Sequence, residues 1–148
     1  MLLRAILLSL AILLPGWVVA QSTAYDFTQL GNAKFTQGDT AGAIKDYDKA
    51  IELEPSFAQA IGGRGRAKEK MGDLPGAIAD YNRTLELTPN DAMTYTNRGA
   101  AKQASGDLDG ALADYNRALE IDPTLVATLS NRGNLHRQKN QLKEALAD

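Results

Sequence analysis

The sequence predicts an all-α fold, a row of two-helix hairpins stacked side by side, on three observations. Residue types recur every thirty-four positions from about residue 22 onward, as in Gly38, Gly72 and Gly106 or Tyr47, Tyr81 and Tyr115. Inside each interval the apolar residues return at three and four positions, which is the spacing of a helix face and not of a strand. Turn formers mark two fixed places per interval, Gly-Asp at 38–39, 72–73 and 106–107 and proline at 55, 89 and 123. A period of this length belongs to units that cannot bury their apolar face alone and must stack on neighbours.

The elements follow in order. A first helix is predicted over about 23–36, where Thr23 and Asp26 have capping-box spacing. Gly38 can take positive φ and Asp39 can accept from the next helix's first amides, so a second helix starts at 40 and runs to 53. Its apolar face is Ala43, Ile44, Tyr47, Ala50, Ile51 and Leu53. Pro55 ends it, because the residue before proline is pushed out of the α region. The same reasoning gives helices over 57–70, 74–87, 91–104, 108–121 and 125–138, with one more opening at 142. Ser56 with Gln59 reads as a second capping box, and Asn90 and Thr124 read as plain N-caps. Pro75 falls in a first turn, where its missing amide costs little. The hairpins are expected to share one continuous apolar seam.

The first twenty residues stand outside the period. Arg4 precedes an apolar run over Ala5–Leu14 broken only by Ser9, then come Pro15-Gly16 and the small-residue stretch Val18-Val19-Ala20. That is the layout of a cleavable secretory signal, with cutting expected after Ala20. The run is shorter than the ~20 residues of a spanning helix, so an uncleaved segment is the only membrane contact expected. Export places the chain in the periplasm or outside the cell. Cleavage takes the formal net charge from −2 to −3 by removing Arg4. A mildly acidic chain lacks the basic footprint that nucleic acid or anionic lipid requires, and no nucleic-acid partner is expected. There is no cysteine, so no disulfide framework and no lipidated cysteine are available.

The periodic residues resemble the tetratricopeptide repeat (TPR) family, whose aromatic, leucine-glycine, alanine, aromatic and proline positions are met by Phe27, Leu30-Gly31, Ala43, Tyr47 and Pro55. Gly65, Gly99 and Gly133 and Ala77, Ala111 and Ala145 continue the match. The chain departs from the family's leucine at Arg64, Arg98 and Arg132, and from its first-helix tyrosine at Lys34, Lys68, Lys102 and His136. The resemblance covers 22–148, as units of about 24–57, 58–91, 92–125 and an incomplete 126–148, after a signal over 1–20. It implies a right-handed superhelical α-solenoid of about three and a half units, with the first helix of each pair lining a concave groove.

By that resemblance the groove is lined by Tyr25, Thr28, Asn32 and Phe35 from unit one and by Gln59, Arg66, Glu69 and Lys70 from unit two. Unit three gives Met93, Thr96, Ala100 and Gln103, and unit four Ser130, Asn134 and Arg137. Such a groove receives a peptide segment or a helix of a partner protein. Tyr25 and Phe35 either anchor that ligand or simply cover the first helix pair. Some family members hold a chaperone's C-terminal carboxylate in a clamp of lysine, asparagine and arginine. Here only Asn32 fits its slot, while Thr28, Gly63 and Met93 bring no positive charge to a carboxylate that needs one, so no clamp is expected.

The remaining motifs read as structural. His136 is the only histidine, and with no cysteine no His/Cys metal constellation can form. Gly62-Gly63-Arg64-Gly65 falls inside a repeat helix without a preceding strand, unlike a phosphate loop. Arg64, Arg98 and Arg132 recur in phase with Asp46, Asp80 and Asp114, and each arginine is expected to reach an acid of an adjoining unit. No nucleophile, base and orienting acid share a recognised arrangement, so the expectation is a non-catalytic interaction scaffold without cofactor or metal. The alternative is a docking or regulatory segment of a larger, enzymatic protein. A third reading is self-association through the incomplete fourth unit, which exposes Leu129, Leu142 and Leu146.

Overall fold

A computed structural model describes residues 22–147, apart from the side chains of 141, 142 and 144–147. The expected export signal and its cleavage point after Ala20 lie outside the described residues, as do the side chains of Leu142 and Leu146. Seven helices and no strand occur among the described residues. They are α1 (Ala24–Gln37), α2 (Thr40–Leu53), α3 (Ala58–Lys70), α4 (Leu74–Leu87), α5 (Ala92–Ala104), α6 (Leu108–Ile121) and α7 (Val126–Ala147). Each odd-numbered helix pairs with the even one that follows, and each even one packs on the next odd one. Odd helices also touch one another in sequence, α1 to α3, α3 to α5 and α5 to α7, which makes them one wall of the stack.

The glycine-aspartate pairs build the hairpin turns as expected. Gly38, Gly72 and Gly106 have φ of 90°, 84° and 92°, the left-handed region in which a side chain is strained. Asp39, Asp73 and Asp107 then accept from the amides of Gly42, Gly76 and Gly110 at the starts of α2, α4 and α6. Thr23 and Asp26 form the reciprocal capping box of α1. Three other expected caps are corrected. Phe57 precedes α3 with no side-chain cap, so Ser56 and Gln59 form no box. Asp91, not Asn90, caps α5, because its carboxylate reaches both the Met93 and Thr94 amides. Thr124 gives its amide and hydroxyl to Asp122 and leaves α7 uncapped by its side chain.

The largest departure is α7, which runs unbroken through the place where a turn and an eighth helix were expected. The position thirty-four residues beyond Gly106 is Asn140, followed by Gln141 in place of the aspartate. Without a glycine to turn the backbone or an acid to cap the next helix, the chain continues as helix. No non-glycine residue among the described ones has positive φ, Asn140 included.

The core is three clusters and not one seam. Ala43, Tyr47, Ala50, Ala60 and Ala67 join Phe27, Phe35, Ile44 and Phe57 in the first. Ala77, Tyr81 and Ala101 make the second, and Ala111, Tyr115 and Leu135 the third. Polar groups are buried beside them, namely Asp46, Asp80, Asp114 and Thr28, Thr84, Thr94, Thr96 and Thr128. The tyrosine rings come close to the facing helices at glycines. A Cβ on Gly31, Gly65 or Gly99 would stand 2.7, 2.8 and 2.7 Å from the rings of Tyr47, Tyr81 and Tyr115, so only glycine allows these helix pairs to close.

Candidate groove between the odd helices

The wall of odd helices borders a half-open cavity of about 650 Å³. It runs from Gln29 and Asn32 on α1, across Gln59, Gly62, Gly63 and Arg66 on α3, to Met93, Thr94 and Asn97 on α5. Thr84, Thr88 and Asp91 close one side. Of the residues expected to line the groove, Asn32, Gln59, Arg66 and Met93 line it.

The others stand elsewhere. Thr28 and Thr96 are buried and unavailable to a ligand, since their hydroxyls donate back to the carbonyls of Ala24 and Ala92. Thr96 also meets the Thr128 hydroxyl at 2.7 Å, a bond between α5 and α7. Glu69 and Gln103 are held from behind, accepting from the hydroxyls of Tyr81 (2.6 Å) and Tyr115 (3.0 Å). In unit one the equivalent position is Phe35, which offers no acceptor, and Tyr47 turns to Asn32 at 2.7 Å. Burial raises all three tyrosine hydroxyls above their ordinary pKa, that of Tyr115 to about 12. Tyr25 is exposed and does not line the cavity. Ser130, Asn134 and Arg137 lie exposed on α7 beyond it, with Arg137 donating to Asn134.

Phe35, Arg66 and Lys70 form a second feature of the wall. Phe35 packs on the first cluster, and both cations sit over its ring, at 5.8 and 5.0 Å from the centroid. Neither cation has an acidic partner among the described residues. Asp91, the acid of the cavity wall, is already engaged by two amides and the Thr94 hydroxyl. The cavity wall therefore carries one cation without an ion-pair partner among the described residues, Arg66, and one anion, Asp91, whose carboxylate is turned to the start of α5.

The sequence reading missed Gln29, Ala58, Gly62, Thr84, Thr88, Asp91, Thr94 and Asn97, and met Gly63 only as a clamp slot without charge. Gln29, Gly63 and Asn97 occupy one register, thirty-four apart, so the period itself points to them once any one is placed. The arginines are also corrected. Arg64 forms a fork on Asp80 (2.9 and 2.7 Å), and Arg98 one on Asp114 (2.8 and 2.6 Å), both within the same hairpin. Arg64 also reaches an acid of the adjoining unit as expected, Asp48 at 2.8 Å, whereas Arg98 and Arg132 find the amides of Asn82 and Asn116 there, at 2.7 and 2.8 Å. Partners sixteen residues away lie on both sides of Arg64, Asp80 in its own hairpin taking Nε and Nη2 and Asp48 in the preceding hairpin taking Nη1. Lys68 and Lys102 complete each site at 2.8 and 2.9 Å from the same acids.

Among the described residues no three His, Cys, Asp or Glu side chains gather closely enough to hold a metal ion, and no helix is long and apolar enough to cross a membrane.

Two family models, both described as tetratricopeptide repeat, match residues 28–92 and 92–125. No curated protein matches the chain. Among solved structures, the first TPR of Spaghetti (RPAP3) bound to the HSP90 peptide SRMEEVD is similar, at 26% identity and a TM-score of 0.75. The match covers 88% of this chain and 99% of that one. The first TPR domain of human RPAP3 matches at 25% identity and a TM-score of 0.79, over 82% of this chain and 96% of that one. The TPR domain of Arabidopsis OM64, at 21% identity, 78% and 96% coverage and a TM-score of 0.77, shares the fold.

Proposed function

The chain belongs to the tetratricopeptide repeat family, and from that premise we propose that it is a non-catalytic, exported scaffold holding a segment of a partner protein in the groove of its odd helices. The observation that carries this reading is the cavity itself. It crosses three successive units, is lined by amide side chains at Gln29, Asn32, Gln59 and Asn97, and has one uncommitted charge at Arg66. Amide groups both donate and accept, which suits the main chain of an extended peptide. The Spaghetti domain, a quarter identical, holds a peptide, and that supports a peptide as the class of ligand. The way of holding differs from a cationic clamp, since Thr28 is buried and Gly63 and Met93 are uncharged.

Export rests on the layout of residues 1–20 and places the partner in the periplasm or outside the cell. N-terminal sequencing of the chain recovered from its host's envelope or medium is expected to begin at Gln21. A cytoplasmic chain beginning at Met1 would contradict it. The groove is tested by photo-crosslinking from Gln59, inside the cavity, and from Lys45, on an exposed face of α2. The expected outcome is a partner crosslinked at Gln59 alone, lost in Phe35→Ala/Arg66→Ala. The same products from both positions would show that the groove is not the site.

A further inference from the structure

Gly62 is the one glycine of the α3 interior that packing does not explain. A Cβ there would meet only Thr84 Oγ1 at 3.5 Å and Cγ2 at 3.6 Å, ordinary contact. Its neighbours are different, since a Cβ on Gly63 would lie 2.7 Å from the Tyr47 ring and one on Gly65 2.8 Å from Tyr81. The same register holds Thr28, Thr96 and Ser130 in the other units, so a side chain is compatible with the repeat. Glycine inside a helix is costly relative to alanine, and at Gly62 the fold draws nothing from it. What its missing side chain does is deepen the cavity between α1 and α5. Gln59 and Arg66, three before and four after on the same helix face, stand on either side of this notch.

We infer that the notch over Gly62 is a subsite for an acidic side chain of an extended partner segment. Gly62 is its specificity-determining residue and Arg66 its charge partner. The rim fixes the chemistry. Arg66 is held over Phe35 and has no ion-pair partner among the described residues, while the Asp91 carboxylate, still an anion, is turned to the α5 amides and the Thr94 hydroxyl. Asn32, Gln59 and Asn97 supply neutral donors around the same space. A carboxylate there completes a guanidinium that is already positioned, and a planar fork favours it over a carboxamide. The inference rests on the groove reading above and gives it a polarity and a deepest point.

The test uses nonapeptides blocked at both ends, so that no terminal carboxylate is present, in libraries with one position fixed in turn as Glu, Gln or Leu. Binding to the mature chain is followed by fluorescence anisotropy beside thermal melting. Glu-fixed pools are expected to bind the wild type most tightly. Gly62→Ala should weaken them about tenfold while raising the melting temperature by a few degrees, opposite signs that a structural role would not produce. Arg66→Ala should abolish the preference for Glu over Gln and lower melting slightly, by the lost stacking on Phe35, with no rise of the kind Gly62→Ala gives. Equal affinity of wild type and Gly62→Ala, or of Glu and Gln pools, would overturn the subsite and leave the groove standing. Wild type that binds none of the pools would overturn the groove reading and the subsite together.

Discussion

Asp46, Asp80 and Asp114 hold the same place in three successive units, yet their company differs. Asp80 and Asp114 each receive an arginine fork and a lysine. Asp46 has only Lys34, 2.6 Å from Oδ2, and that buried oxygen accepts no aligned hydrogen bond. The missing group is traceable to Leu30, half-exposed in the register of Arg64 and Arg98. Leu30→Arg is therefore expected to stabilise the chain by about 1 kcal/mol, read as a higher denaturation midpoint in urea. Arg98→Ala goes the other way, leaving a buried Asp114 with Lys102 alone and costing about 3 kcal/mol. An unchanged midpoint in either variant would remove the structural role from the series. The sequence displayed the recurrence of arginine and aspartate but not which acid each arginine meets, because a sixteen-residue offset leads to its own hairpin in one direction and to the preceding one in the other.

The tyrosines carry a pH dependence whose sign follows from burial. Their hydroxyls ionise at about pH 10 in the unfolded chain, while burial pushes that of Tyr115 to about 12 and raises those of Tyr47 and Tyr81 as well. Below pH 10 both states keep the proton and nothing is lost. Above it the unfolded chain releases protons that the folded chain retains, so stability falls from about pH 10 toward 12 and beyond. Melting temperatures across pH 8–12, followed beside tyrosinate absorbance, should show a decline that begins near 10. The fold should persist while the three hydroxyls remain protonated, and early tyrosinate absorbance in a fully folded chain would show the rings to be accessible.

Among the elements, α1 to α6 were legible almost to the residue because each boundary has local chemistry of its own: a positive-φ glycine, a capping aspartate, a proline. The seventh was not, since its length depends on the failure of a signal. Period alone asked for a turn at 140, whereas Asn140-Gln141 lacks the two groups that make one. Asn140→Gly/Gln141→Asp restores them and is expected to divide α7, ending its first part near Lys139. Backbone chemical shifts should then lose helical values at 139–141 and keep them at 126–137. Helical shifts that continue through 141 would mean that tertiary packing, and not turn chemistry, keeps α7 straight. The groove was half legible for a related reason. The family resemblance places residues on the concave face, as it did Asn32, Gln59, Arg66 and Met93, but it says nothing of hydroxyls that bend back to carbonyls four residues earlier, as at Thr28 and Thr96.

The whole molecule is a line. No helix of unit one touches α5, α6 or α7, so the first hairpin supports the last only through α3 and α4. Stability in such an array is a sum of unit and interface contributions, and its ends can open without its middle. Gly31→Ala and Gly99→Ala make the same local insult, a Cβ 2.7 Å from a tyrosine ring, at an end and in the interior. Each should cost about 1–3 kcal/mol at its own hairpin. The consequences should differ in reach. With Gly31→Ala, hydrogen exchange is expected to accelerate in α1 and α2 while α5 and α6 keep their protection. With Gly99→Ala, α5 and α6 loosen, and α7 follows because its contacts are with those two helices. The groove separates the variants once more: its walls come from α1, α3 and α5, so either end-opening removes one wall and should weaken peptide binding without unfolding the other. Uniform acceleration in both variants would mean that the line behaves as one cooperative body, and the partner segment would then meet a groove that opens whole or not at all.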